Sequence, residues 1–172
     1  NEEEVKYILQ LASTLIPNFV PDTAVETGTY KGVSTRLLAR FFKHVHTLEL
    51  NMLLYSEAVV SGSDVKNITY HHGDSVKLLP DIVKAITGST LYFIDAHGSG
   101  ADSSWNGVEN VPLFTELNII LQNRDSSCPV IFIFDDVRLF DAFSDWKGIT
   151  VESIKSRIPN IVSDFVKDDR YY

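Results

Sequence analysis

Cysteine is nearly missing from this sequence: Cys128 stands alone among 172 residues. No internal disulfide is available, and a reducing compartment is expected. Positive charge is also scarce. Lys and Arg number 15 against 23 Asp and Glu, a formal net charge of −8, and they form no basic cluster. The electrostatic attraction that drives nucleic-acid binding is therefore absent, and no nucleic-acid partner is expected. No apolar run approaches the roughly 20 residues that a bilayer span needs. The first residues, NEEEVKY, are acidic where a secretory leader is basic. The expectation is a cytoplasmic protein without a membrane partner. The first residue is Asn rather than Met, as in a domain cut from a longer protein. Neighbouring domains or a homo-oligomer are compatible with that reading. Internal repeats are missing too.

What the chain does contain is a regular alternation. Its 172 residues suffice for one domain with a full core and are too few for two. Val5, Ile8, Leu9, Ala12 and Ile16 make an apolar helical face that stops at Pro17, so residues 1–20 should pack a helix beside the first strand. Strands are predicted at Thr23 to Glu26, His44 to Leu50, Ile68 to His72, Leu91 to Ile94 and Val130 to Phe134. Helices are predicted over Lys31 to Phe42, Asn51 to Val60, Pro80 to Ile86, Pro112 to Asn123 and Val151 to Ile158. LYFI and VIFIF are continuous apolar runs, as in parallel strands covered on both faces. Parallel neighbours need a crossover, so residues 21–172 should form an α/β, doubly wound, mostly parallel sheet with helices on both faces.

One stretch organises the rest. Ala24 to Ser34, AVETGTYKGVS, reads as strand, glycine turn and helix start. Glycines let a ligand approach the backbone closely, and a new helix offers unpaired N–H groups, which suits an anionic group or an amino-acid carboxylate. A dinucleotide-binding turn would place a third glycine at Val33 to Thr35, and none is there. In a doubly wound sheet the ligand crevice lies at the carboxyl ends of the strands. Here those ends carry Glu26, Glu49, Asp74, Asp95 and the pair Asp135-Asp136. Such a ring of carboxylates is repulsive unless cationic ligands or metal ions lie among them.

These residues resemble the class I S-adenosylmethionine-dependent methyltransferases, and within them the cation-dependent O-methyltransferases of the catechol and macrocin types. Glu26-Thr27-Gly28-Thr29-Tyr30-Lys31-Gly32-Val33-Ser34 looks like their first motif, and the likeness runs on through Glu49, Gly73-Asp74-Ser75, Asp95 and Asp135-Asp136. The resemblance implies a Rossmann-like methyltransferase fold and an enzyme that moves a methyl group from S-adenosyl-L-methionine to a hydroxyl. Glu26, Gly28, Tyr30, Gly32 and Ser34 would hold the methionine end of the cofactor. Glu49 would accept from both ribose hydroxyls, and Asp74 and Ser75 would lie by the adenine. Asp95 would serve cofactor, catalysis and metal alike. A divalent metal would be held by Asp95, Asp135 and Asp136. Carboxylate oxygens suit magnesium, and no His/Cys cluster points to zinc. Successive strand side chains face opposite ways, so Asp135 and Asp136 reach one ion only where the chain leaves strand geometry.

The likeness has departures. The lysine of the catechol enzymes falls at Gly98, whereas His97 occupies the place of the acidic base of the macrocin type and becomes the candidate general base. His44, His46, His71 and His72 show no ligand spacing and read as structural. Loop 96–110 with Trp105, and Arg138 to Trp146 with Phe140 and Phe143, are the expected walls for the acceptor, a small molecule or saccharide with a sugar hydroxyl favoured. The family closes its sheet with an antiparallel pair; Ile161 to Val166 is available for one strand and Asp169 to Tyr172 only as the beginning of the other, so an incomplete C-terminal edge is expected. Two alternatives remain: an NAD- or nucleotide-sugar-binding α/β enzyme, and a non-catalytic domain that binds a protein partner.

Overall fold

A computed structural model of the chain describes residues 1–17, 19–97 and 110–172. Five parallel strands form the centre: β1 (Thr23–Thr27), β2 (His44–Glu49), β3 (Ile68–His72), β4 (Thr90–Ile94) and β5 (Val130–Phe134). The sheet order is β3-β2-β1-β4-β5-β7-β6, with the short strands β6 (Val166–Lys167) and β7 (Arg170–Tyr171) on the far edge. β1 and β4 are buried along their whole length, as strands covered on both faces must be.

Helices supply the two covers. On one side α1 (Glu2–Leu15) and α2 (Val33–Leu38) bring Ile8 and Leu38 onto Ala24, Val45, Leu91 and Ile133. α3 (Met52–Ser61) joins β2 to β3. On the other side α4 (Ser75–Ala85), α5 (Leu113–Asn123) and α6 (Val151–Lys155) pack Leu79, Leu117 and Ile154 with Val25, Tyr92, Phe132 and Phe134. Alternate residues of each strand thus feed alternate layers. Local chemistry sets the helix starts. Asn1 and Glu4 form a capping box on α1, and Asn51 caps α3. Asp74 caps α4 through the Val76 N–H, so that helix begins at Ser75 and carries Pro80 inside it rather than at its start. Among the described residues no helix is long and apolar enough to cross a membrane.

The C-terminal edge corrects the expectation of an incomplete sheet. β6 and β7 form an antiparallel hairpin, and Tyr171 pairs with Phe134 of β5. Its turn residues Asp168 and Asp169 both have positive φ, 49° and 68°. That is the two-residue hairpin turn usually marked by Asn-Gly. Two aspartates fill it instead, so the sequence indicates the two strands without marking the turn between them.

Candidate functional site

β1 ends against β2 and β4, and the glycine turn leaves from that junction. Gly28 has φ of +85°, and a Cβ there would lie 2.5 Å from the Asp95 carbonyl oxygen, so no side chain fits. Its N–H donates to the Leu48 carbonyl at 3.0 Å. Tyr30 and Gly32 also take positive φ, 49° and 68°, which turns the chain into α2. The Glu49 carboxylate reaches back across this turn. Oε2 accepts the Tyr30 N–H and Oε1 the Asn51 N–H, both at 2.8 Å. Three of the residues expected around a cofactor, Gly28, Tyr30 and Glu49, therefore meet in one cradle, with Asp95 directly behind it. A glycine-walled turn with a fixed carboxylate beside it is the donor and acceptor set that a ribose-containing amino-acid cofactor fits.

Beneath the cradle lie two fully buried carboxyls, one on each face of the sheet. Glu26 accepts from Thr47 at 2.7 Å and from Thr35, while Thr29 and Thr47 share a hydroxyl hydrogen bond of 2.6 Å. Burial pushes Glu26 up to about 7 against the hydrogen bonds of Thr35, Thr47 and Ser34, and its Oε1 is buried without a partner. Glu26 and Ser34 thus sit in the foundation of the turn. On the opposite face Glu116 of α5 accepts from Thr27 Oγ1 at 3.0 Å and from the Ser75 hydroxyl. Burial pushes Glu116 up to about 8, opposed by these two donors. Thr27 Oγ1 in turn accepts the Asp95 N–H at 3.2 Å. Glu116 is the residue that the sequence reading missed. The available signal was its place with Leu113, Leu117 and Ile120 on one helical face, where an acid is out of character.

Ser75 turns its hydroxyl inward to Glu116, and Asp74 serves as the α4 cap with Lys77 3.4 Å away. Both stand at the end of β3, where an adenine was expected. The Ser75 hydroxyl is committed to Glu116, while Asp74 keeps one buried oxygen, Oδ2, without a hydrogen-bond partner.

At the ends of β4 and β5 the structure brings together Asp95, His97 and Asp136, one ligand atom of each lying within 4.8 Å of the others. His97 Nε2 lies 2.5 Å from Asp136 Oδ2 and 3.6 Å from Asp95 Oδ1. Burial pushes the imidazole down, but the two carboxylates more than reverse this and hold it at about 9. Burial raises Asp95. Asp136 also pairs with Arg138, which bonds Asp169 as well.

Asp135 does not join this group, a correction to the expected trio of carboxylates. Its two oxygens take a bidentate pair from Arg170, at 3.1 Å to Nε and 3.0 Å to Nη2, and Arg170 Nη1 bonds Glu4 of α1 at 2.7 Å. The reason is local. Asp136 has φ of 58°, so the chain leaves strand geometry between the two aspartates, and one side chain goes to each side. A divalent ion held by Asp95, Asp135 and Asp136 together does not fit this arrangement.

The expected acceptor walls are partly redistributed. Trp146 is buried, its ring edge-on to His97 at 5.1 Å and stacked with Phe140 at 5.9 Å, so it anchors the site from below. Phe143 is exposed. Trp105 and Gly98 lie outside the described residues. His46 and His71 stack on each other with ring nitrogens 3.0 Å apart, away from the cluster. A cavity of about 640 Å³ lies elsewhere, between α1, β5 and the segment 158–165, lined by Ile8, Leu15, Val20, Ile131 and Ile161, and none of the expected site residues lines it.

The fold defined by this sheet order is the Rossmann-like methyltransferase fold. Solved structures share it. The N-methyltransferase NodS from Bradyrhizobium japonicum superimposes with a TM-score of 0.59 at 10% identity, over 99% of this chain and 92% of that one. A Staphylococcus aureus protein named as a caffeoyl-CoA O-methyltransferase gives 0.58 at 15% identity, over 99% and 81%. An S-adenosylmethionine-dependent methyltransferase from Clostridium acetobutylicum gives 0.52 at 15% identity over 79% of this chain, which spans only 51% of that protein's length. No protein-family model matches the chain, and no curated protein matches it in sequence.

Proposed function

We propose that the chain is an S-adenosylmethionine-dependent O-methyltransferase acting on a hydroxyl of a small molecule or saccharide, with a sugar favoured. One observation carries this reading. The Tyr30 N–H fixes the Glu49 carboxylate across the glycine turn, and the same turn packs through Gly28 against Asp95, at the head of the polar cluster. Cofactor cradle and reactive groups therefore share one edge of the sheet, as bimolecular methyl transfer requires.

S-Adenosylmethionine supplies an electrophilic methyl group on a sulfonium. This chain's residues do the rest. Glu49 would accept the ribose hydroxyls, and the backbone N–H groups at the start of α2, beyond Tyr30 and Gly32 whose own N–H groups are taken by Glu49 and Thr29, would receive the amino-acid carboxylate. Asp95, His97 and Asp136 receive the acceptor hydroxyl, orient it and supply the group that takes its proton. Buried Trp146, itself stacked on Phe140, fixes the imidazole from below. The shared fold with methyltransferases supports the reading, and the absence of a third glycine disfavours a dinucleotide.

Calorimetric titration of S-adenosylhomocysteine tests it. Micromolar binding is expected, weakened by Glu49→Ala by about 1.5–3 kcal/mol, the loss of hydrogen bonds to a charged group. No heat and no thermal shift would sink the proposal, and protection by NADH instead would move the chain to the dinucleotide-binding class.

A further inference from the structure

The expected carboxylate trio is not assembled, yet the donors that do converge form a set with its own chemistry. We infer that the site holds a divalent transition-metal ion on one imidazole and two carboxylates, His97 Nε2, Asp95 and Asp136, with Asp135 excluded. This inference rests on the proposed reading of the sheet edge as the acceptor site.

Three observations carry it. First, the donors come from two different strand ends and aim at one space: Nε2 is 2.5 Å from Asp136 Oδ2 and 3.6 Å from Asp95 Oδ1, with all three ligand atoms within 4.8 Å. Adjacent ligands on an octahedral ion with bonds of about 2.1 Å are separated by about 3 Å, so small side-chain adjustments suffice. Second, Asp135 is held bidentately by the part-buried Arg170, which also ties down Glu4, and releasing it would break the link between α1, β5 and β7, whereas Asp136 meets a single nitrogen of the largely exposed Arg138, which can turn away to solvent. Third, the His97 ring is fixed edge-on against buried Trp146, so Nε2 is oriented before any ligand arrives. A nitrogen donor matters chemically. Three carboxylates favour magnesium, whereas an imidazole with two carboxylates favours manganese, iron(II), cobalt or zinc. Three protein ligands leave positions for water and for acceptor oxygens. His97 would then hold the ion, and the acceptor's proton would leave to a carboxylate or solvent.

Manganese is the probe. Pulsed electron paramagnetic resonance on the wild-type protein with one equivalent of Mn²⁺ should show coupling to an imidazole ¹⁴N, and calorimetry should give at least about tenfold tighter binding of Mn²⁺ than of Mg²⁺. His97→Gln should abolish the ¹⁴N coupling and weaken Mn²⁺ by about 10–100-fold, while Asp135→Asn leaves the affinity within about threefold. Folding of each variant is checked by its thermal transition, and the wild-type ¹⁴N signature depends on no variant. The inference is overturned if Mn²⁺ binds without ¹⁴N coupling and needs Asp135, or if the protein binds S-adenosylhomocysteine but no Mn²⁺. Mn²⁺ binding with ¹⁴N coupling but no S-adenosylhomocysteine binding would keep the metal site and remove the methyltransferase reading.

Discussion

Glu116 shows how much one side chain holds in place at this site. Its carboxyl ties Thr27 at the end of β1 to Ser75 at the start of α4, and Thr27 passes the constraint to the Asp95 N–H. With its proton affinity raised from 4.5 to about 8, Glu116 stays neutral in the folded protein over a range in which the unfolded chain ionises. Between those values the unfolded state holds fewer protons, so stability falls as pH rises, by roughly 3 kcal/mol at pH 7. The loss is complete above about 8. Glu116→Gln keeps the shape and a hydrogen-bonding amide and removes the ionisation, so urea unfolding from pH 5 to 8.5 should show a flatter profile than wild type. A residual slope of the same sign is expected from Glu26, raised to about 7. Parallel profiles for the two proteins would mean that Glu116 ionises within the fold.

The β6–β7 hairpin is the corresponding case among the secondary elements. It is only two residues deep on each side, and it closes the sheet beside β5 through Tyr171 and Phe134. Asp169 takes a left-handed conformation, and its side chain accepts the Arg138 N–H at 2.7 Å. Alanine tolerates neither the conformation nor the lost acceptor. Asp169→Ala should therefore cost about 2 kcal/mol in denaturant unfolding. A cost below about 0.5 kcal/mol would show that the hairpin adds little to the edge. The sequence left this element's closure unmarked because a two-residue turn is normally announced by glycine or asparagine. It hid the start of α4 in the same way, because Pro80 drew attention from the Asp74 cap.

For the whole molecule, in a chain of net charge −8, the carboxyls of Glu49, Asp95, Asp135 and Asp136 gather at one edge of the sheet. Arg170, Arg138 and His97 each neutralise part of their charge. On the proposed reading, cofactor binding at this edge should stabilise the entire domain, since the turn that would hold it joins β1, β2 and α2. S-Adenosylhomocysteine at 100 times its Kd adds about 2.7 kcal/mol. The thermal midpoint should rise by roughly 5–10 °C for a chain of this size. The shift should shrink in Glu49→Ala at the same ligand concentration.

Strand and helix positions, the glycine turn and the acids at the strand ends were legible in the linear chain, because each depends on neighbours a few residues away: alternation, capping and the freedom of glycine at positive φ. Which acids work together was not. Asp135 and Asp136 are equal in the sequence, and only the left-handed turn between them, with Arg170 arriving from β7 on one side and His97 from the loop after β4 on the other, separates a structural clasp from a partner of His97. Glu116 is likewise one more helical acid until α5 docks on the sheet and carries it beneath Thr27 and Ser75. Burial and pairing across tens of residues come from packing, and they set both the protonation and the partners of these carboxyls.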